Sequence, residues 1–154
     1  MPTGYLDKTK DLFLWMCGTG QSYVDMASLV PEDIQEVDGN RYISKERHKT
    51  GVEYTTIVLP FASAIYDKYN GKLPIITNQR MNIYLKAIGS ITGLNKKLHC
   101  HMARHSFACL ALNKGIRIET VAKALGHSAS NLRQTQHYAK LLKRTVISEL
   151  SVMK

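Results

Sequence analysis

Residues 98–128 read LHCHMARHSFACLALNKGIRIETVAKALGHS, and the placing of their apolar side chains predicts two helices. Met102, Ala103, Phe107, Leu110 and Ala111 recur at intervals of three and four, which predicts a helix over 99–113 that Gly115 ends. Ile118 to Leu125 predicts a second, shorter helix closed by Gly126. Residues at i and i+3 share a helix face, so the imidazole of His101 and the guanidinium of Arg104 can converge on one anion. The guanidinium offers a fork of donors matched to phosphate oxygens, and the imidazole donates a further bond or moves a proton. The tetrad alone is a weak signal, because a lone arginine on a helix is ordinarily a solvated charge.

Working outward, the text on the N-terminal side changes character twice. Asp7 to Gly18 carries Leu12, Phe13, Trp15 and Met16 in an amphipathic pattern that breaks over Gly18 to Gly20, and a second helix is expected over 22–29. Pro31-Glu32-Asp33 is either a helix start or a short turn before Ile34. Gly39-Asn40 is a turn signal between extended runs, and Arg41-Tyr42-Ile43 and Tyr54 to Leu59 read as β with Lys49-Thr50-Gly51 at the bend, giving a hairpin or small meander that Pro60 closes. Helical spacing resumes from Phe61 to Asn70-Gly71 and from Asn78 to Ile91, where Gly93 caps it. A last helix is expected over Gln134 to Ser148, with Leu141, Leu142, Val146 and Ile147 on one face. The fold class is therefore mainly α with one small antiparallel sheet (α+β), in a single domain over 1–154.

The chain has 154 residues, 44% hydrophobic and 21% charged, which is globular composition. Lys and Arg number 21 against 12 Asp and Glu, a formal charge of +9 that favours a polyanionic partner, nucleic acid first. No apolar run approaches the roughly 20 residues needed to span a bilayer, and the opening MPTGYLDKTKDLF lacks the form of a signal peptide. Three cysteines (Cys17, Cys100, Cys109) without C-x-x-C spacing argue against a disulfide framework and suit a reducing cytoplasm. Neither a P-loop nor a dinucleotide fingerprint is present. His99, Cys100, His101 and His105 lack the spacing of a four-ligand zinc site, so no metal and no cofactor is expected.

Further along the chain, Leu125-Gly126-His127 follows the short helix, and Tyr138 stands eleven residues beyond His127. Taken in order, HMARHSFA, VAKALGHS and TQHYAK resemble the catalytic domain of the tyrosine recombinase (phage integrase) family. DLFLWMCGTG resembles that domain's opening helix, and Lys49 in Arg47-His48-Lys49-Thr50-Gly51 matches the lysine of its β-hairpin. The resemblance covers essentially the whole chain, and its wording is most similar to integrases of conjugative transposons. It implies the tyrosine recombinase catalytic-domain fold and, since family members usually carry an N-terminal core-binding domain, a chain that is the C-terminal part of a longer integrase. It also implies a bacterial, nucleoid-associated protein that acts on double-stranded DNA.

The resemblance further assigns roles. Tyr138 is the nucleophile that forms a 3′-phosphotyrosyl linkage and leaves a 5′-hydroxyl. Arg104 and His101 bind the non-bridging oxygens, His127 donates another hydrogen bond, and Lys49 protonates the leaving oxygen. No metal or ATP takes part. One position departs: Ser22 stands where the family has its first arginine, two residues past Thr19-Gly20, and Asp25 matches the acid that supports the site. Losing such a charged donor costs on the order of 3 kcal/mol of transition-state stabilisation, and either Arg41 or Arg47 is a candidate to make it good. His105 and His137 are expected to be structural. The tail 140–154 is amphipathic; in relatives such a segment packs on a neighbouring protomer in a tetramer, and closing its own core is the competing expectation. Other readings are a non-catalytic helix-turn-helix-like DNA-binding module around 118–127, a degenerate recombinase, and a type IB topoisomerase.

Overall fold

The computed structural model describes residues 3–94, 96–127, 147 and 150–153. Its elements run α1 (Thr3–Thr19), α2 (Tyr23–Ala27), a single 3-10 turn (Pro31–Asp33), β1 (Ile34–Val37), β2 (Asn40–Glu46), β3 (Glu53–Val58), α3 (Pro60–Lys68), α4 (Asn78–Thr92), α5 (Cys100–Asn113) and α6 (Ile118–Leu125). The mainly α architecture with one three-stranded antiparallel sheet, in the order β1-β2-β3, is the one the sequence predicts. The helix predicted over 134–148 lies outside the described residues but for Ile147.

Leu12, Trp15 and Met16 fall on one face of α1 and are fully buried, because α3, α4 and α5 all pack on that helix. Their cluster takes in Met81 and Leu85 of α4, Ile43, Tyr54 and Val58 of the sheet, and Cys100 and Ala103 at the start of α5. A second cluster joins Phe107, Ala108 and Leu112 of α5 to Val121 and Leu125 of α6, with Ile57 of β3 against it. The sheet alternates as a half-buried sheet should: Tyr54, Thr56 and Val58 are buried while Glu53 and Thr55 are exposed.

A line of buried polar contacts fixes the end of α1 to the sheet. Trp15 Nε1 donates to Gln21 Oε1 at 2.8 Å, and Gln21 Nε2 donates to the Tyr54 hydroxyl at 2.9 Å. Thr56 Oγ1 donates to the Thr19 carbonyl at 2.7 Å, and the Leu59 amide to the Gly18 carbonyl at 3.0 Å. The segment 18–22 is thereby held at a fixed height above β3. Trp15 also stacks on Tyr66 of α3, with ring centroids 5.8 Å apart. Trp15→Ala is expected to cost about 4 kcal/mol, since it empties a filled site and strands the Gln21 amide; urea unfolding reads this directly.

Local differences from the expected boundaries have local causes. Ser22 is spent as the N-cap of α2, accepting the Asp25 amide, and Ser28 ends that helix, so it is shorter than 22–29. The β1–β2 turn sits on Asp38-Gly39, one residue earlier than expected, because Asn40 pairs with Val37 in the ladder. Pro60 both follows β3 and opens α3, where a residue lacking an N–H costs no hydrogen bond.

Candidate active site

Four segments meet at the site. The first is the N-terminal half of α5, whose start is set from α4: the Asn82 side chain accepts the Cys100 amide at 3.1 Å. One turn further on, Arg104 is 4% exposed. Its Nη1 donates to the Gly20 carbonyl at 2.9 Å, and its Nη2 donates to the Leu125 carbonyl. Arg104 is therefore not the solvated charge that the bare tetrad suggests; it ties the segment after α1 to the end of α6. Gly20 reaches it by a left-handed turn (φ +78°) pressed so closely on the Phe107 ring that a Cβ would stand 2.6 Å from Cδ1.

The second segment is the end of α6. Gly126 is left-handed (φ 69°), and the His127 amide bonds back to the Ala122 carbonyl at 2.9 Å, a Schellman-type ending. This ending turns His127 inward, to 9% exposure. The third is the β2–β3 connection, closed by Arg47 N–H to Val52 O and Gly51 N–H to Arg47 O, both 2.8 Å. Lys49 is exposed in its turn.

The fourth segment is α2. The Asp25 carboxylate, 1% exposed, accepts from Ser22 Oγ at 2.8 Å, from the His48 amide at 2.9 Å and from Arg47 Nε at 3.4 Å. Asp25 thus grips the base of the hairpin. Arg47 runs over Gly126: a Cβ there would stand 2.5 Å from Arg47 Cδ and 3.3 Å from Tyr54 Cβ. Arg41 is occupied elsewhere, with Nη2 on Asp67 at 2.8 Å, Nη1 on Ser63 Oγ at 2.8 Å, and its guanidinium over the Tyr66 ring.

The electrostatics record the convergence. Burial, then the charges of Arg104 and Arg47 and the neighbouring His101, hold the His127 imidazole well below its ordinary value, at about 4. His101 is also lowered, by burial first and then by Arg104, His99, Arg47 and Lys49. His101, Arg104, His127 and Lys49, named from the sequence, are therefore brought together, and both imidazoles are neutral near pH 7. His105 meets His101 edge to face, with centroids 4.3 Å apart. Tyr138, His137 and the tail predicted from 140 lie outside the described residues, apart from 147 and 150–153. The sequence left Arg47 undecided against Arg41; its one signal is its place two residues before Lys49, at the foot of the same hairpin. Among the described residues no three His, Cys, Asp or Glu side chains gather as a metal site requires, and no helix is long and apolar enough to cross a membrane.

The His127 shift has a testable sign. Its folded value lies below its unfolded value near 6.5, so the neutral form stabilises the fold above pH 6.5, and that stability drains away as pH falls toward 4. From pH 7 to pH 5 the loss is expected to be on the order of 2 kcal/mol. In His127→Gln the melting temperature is expected to vary less over the same range.

The arrangement gathers the guanidinium of Arg104 and the cations of the hairpin near two imidazoles, and known proteins carry similar sequence. A model of the phage integrase family matches residues 6–144. Over 68 residues, 44% of this chain, it is 41% identical to the tyrosine recombinase XerC of Pediococcus pentosaceus. Among solved structures, XerH recombinase bound to palindromic difH substrate overlays 92% of the chain with a TM-score of 0.68 at 21% identity. The Tn1549 transposon integrase, in complex with transposon right-end DNA, overlays 98% with a TM-score of 0.60 at 15% identity. The chain spans 22% of the XerC relative and 45% and 65% of those two structures. With the match running from the first turns of α1 past Tyr138, and the fold shared with recombinase catalytic domains, this chain belongs to the phage integrase family.

Proposed function

We propose that this chain is the catalytic domain of a site-specific DNA recombinase, the integrase of a mobile element, which cuts and rejoins strands through a covalent tyrosine linkage. The observation that carries the reading is the buried Arg104, bound to the carbonyls of Gly20 and of Leu125, two residues before His127, with its charge lowering both His127 and His101 and that of Lys49 lowering His101. A phosphodiester resists attack because nucleophile, leaving group and developing charge meet at an anion. Donors fixed in advance around the phosphate lower that barrier without reorganising. In this scheme Tyr138 Oη attacks phosphorus, the bond to the 5′-oxygen breaks, and the Lys49 ammonium hands that oxygen a proton. The phosphotyrosyl bond retains the energy of the broken linkage, so rejoining needs no ATP.

The +9 charge supports a duplex DNA partner, bound more weakly as salt rises. The greater length of the relatives supports a larger integrase in which a further domain completes a clamp on DNA. There the amphipathic tail from 140 links protomers into a tetramer, in the bacterial cytoplasm at the nucleoid. A pure binding module would leave the meeting of Arg104, His101, His127 and Lys49 without a joint purpose.

The test is covalent trapping by the full-length gene product on nicked suicide DNA taken from the ends of its element. Wild type is expected to give a shifted protein–DNA band on a denaturing gel, and Tyr138→Phe to bind the DNA without giving one. No band from wild type that binds specifically would mean a binding module or a degenerate recombinase. Relaxation of supercoils without paired sites would mean a topoisomerase.

A further inference from the structure

Ser22 leaves the site one cation short of its family's pattern, and the described geometry shows where another cation lies. Ser22 Oγ donates to Asp25 at 2.8 Å and accepts the Asp25 amide, so it serves as a helix cap. The same carboxylate takes Arg47 Nε at 3.4 Å. The Arg47 side chain is 13% exposed, and its stem lies on Gly126, beside His127. Its charge is among those that lower both His127 and His101, so the guanidinium lies within electrostatic reach of both imidazoles. Arg41, the other candidate, is held by Glu36, Ser63 and Asp67.

We infer that Arg47 is a catalytic residue of this chain: its guanidinium binds a non-bridging oxygen of the scissile phosphate, supplying from the hairpin the charge that Ser22 does not supply from the α1–α2 segment. Asp25 is its positioning residue. With Nε on Asp25 at 3.4 Å and the stem on Gly126, the guanidinium is held at the base of the hairpin, next to the helix ending that carries His127. The hairpin then delivers two cations together, Arg47 to the phosphate and Lys49 to the leaving oxygen.

The inference rests on the recombinase reading, and the test separates the two. Arg47→Met keeps much of the stem on Gly126 and removes the charge. Its cleavage is compared with wild type on two suicide DNAs, one with an ordinary scissile phosphate and one with a neutral methylphosphonate there. On the phosphate, Arg47→Met is expected to cleave about 100-fold more slowly than wild type. On the methylphosphonate, which carries no charge for a guanidinium to meet, the gap should shrink to within about tenfold. A folding defect lowers both rates in one preparation and leaves the gap unchanged, so an equal gap on both DNAs overturns the inference, as does a variant that cleaves the phosphate at the wild-type rate. Arg47→Lys, which keeps the charge beside Asp25 and loses the fork, should fall between the two. Wild type that cleaves the ordinary phosphate in none of these assays overturns the recombinase reading, and Arg47's role with it.

Discussion

Arg104→Ala is expected to lower strand cleavage by about 10²–10³-fold and to destabilise the domain by about 3 kcal/mol. Both effects come from one side chain because Arg104 does two things at once. In the proposed reaction it presents charge to the scissile phosphate, and in the fold it holds the carbonyls of Gly20 and Leu125, which brings the end of α1 and the end of α6 together. Removing the guanidinium leaves two carbonyls without their charged donor in a region where Arg104 itself is 4% exposed. Arg104→Lys keeps the charge, but one ammonium cannot reproduce a planar fork reaching two carbonyls. It is expected to recover part of the stability and little of the cleavage. Thermal unfolding and suicide-substrate trapping on the same preparations separate the two losses. A fully stable Arg104→Ala domain would contradict the structural half of this account.

Gly126→Ala is expected to cost about 2 kcal/mol of stability and at least tenfold in cleavage. Gly93→Ala should cost about 1 kcal/mol and leave cleavage as it is. The pair is informative because both glycines end a helix in the same left-handed conformation, φ 69° and 71°. The backbone penalty is therefore shared, and the surroundings differ. A Cβ at Gly93 meets nothing within 4 Å, whereas one at Gly126 would stand 2.5 Å from Arg47 Cδ and 2.7 Å from Cγ. Those are mid-stem atoms of a side chain whose head is tied to Asp25, so relief must come from moving the guanidinium or from moving His127, the next residue. Equal effects of the two substitutions on cleavage would show that the Arg47 stem tolerates displacement.

Where local rules decide structure, the sequence was legible. Ile118–Leu125 with Gly126 after it was read to the residue, because apolar spacing and a left-handed stop coincide there. α4 with Gly93 was read nearly as well, ending one residue later than expected. α1 extends back to Thr3, beyond the Asp7 where the apolar pattern starts, and there Tyr5 stacks on Tyr84 of α4 with centroids 6.0 Å apart, a contact that no local pattern announces. The site followed the same division. His101 and Arg104 share a face by helical arithmetic, and His127 follows from a helix ending. The choice between Arg41 and Arg47, however, depends on long-range pairing. Arg41 is drawn to Ser63 and Asp67 only because β2 lies beside α3, and Arg47 is drawn to Asp25 only because the hairpin base folds onto α2. Nor did any sequence rule show that Arg104 would spend hydrogen bonds on two carbonyls 84 and 21 residues away.

The central claim, covalent catalysis by Tyr138, is tested most directly on the trapped adduct itself. Cleavage after Arg133 and Lys140 by trypsin releases the heptapeptide QTQHYAK, residues 134–140, which contains the sequence's only tyrosine in that interval. After trapping on suicide DNA and digestion, mass spectrometry is expected to find that peptide carrying the 3′-phosphoryl nucleotide on Tyr138. An adduct on any other residue, or wild-type protein that binds the DNA and yields no DNA-linked peptide, would contradict the account.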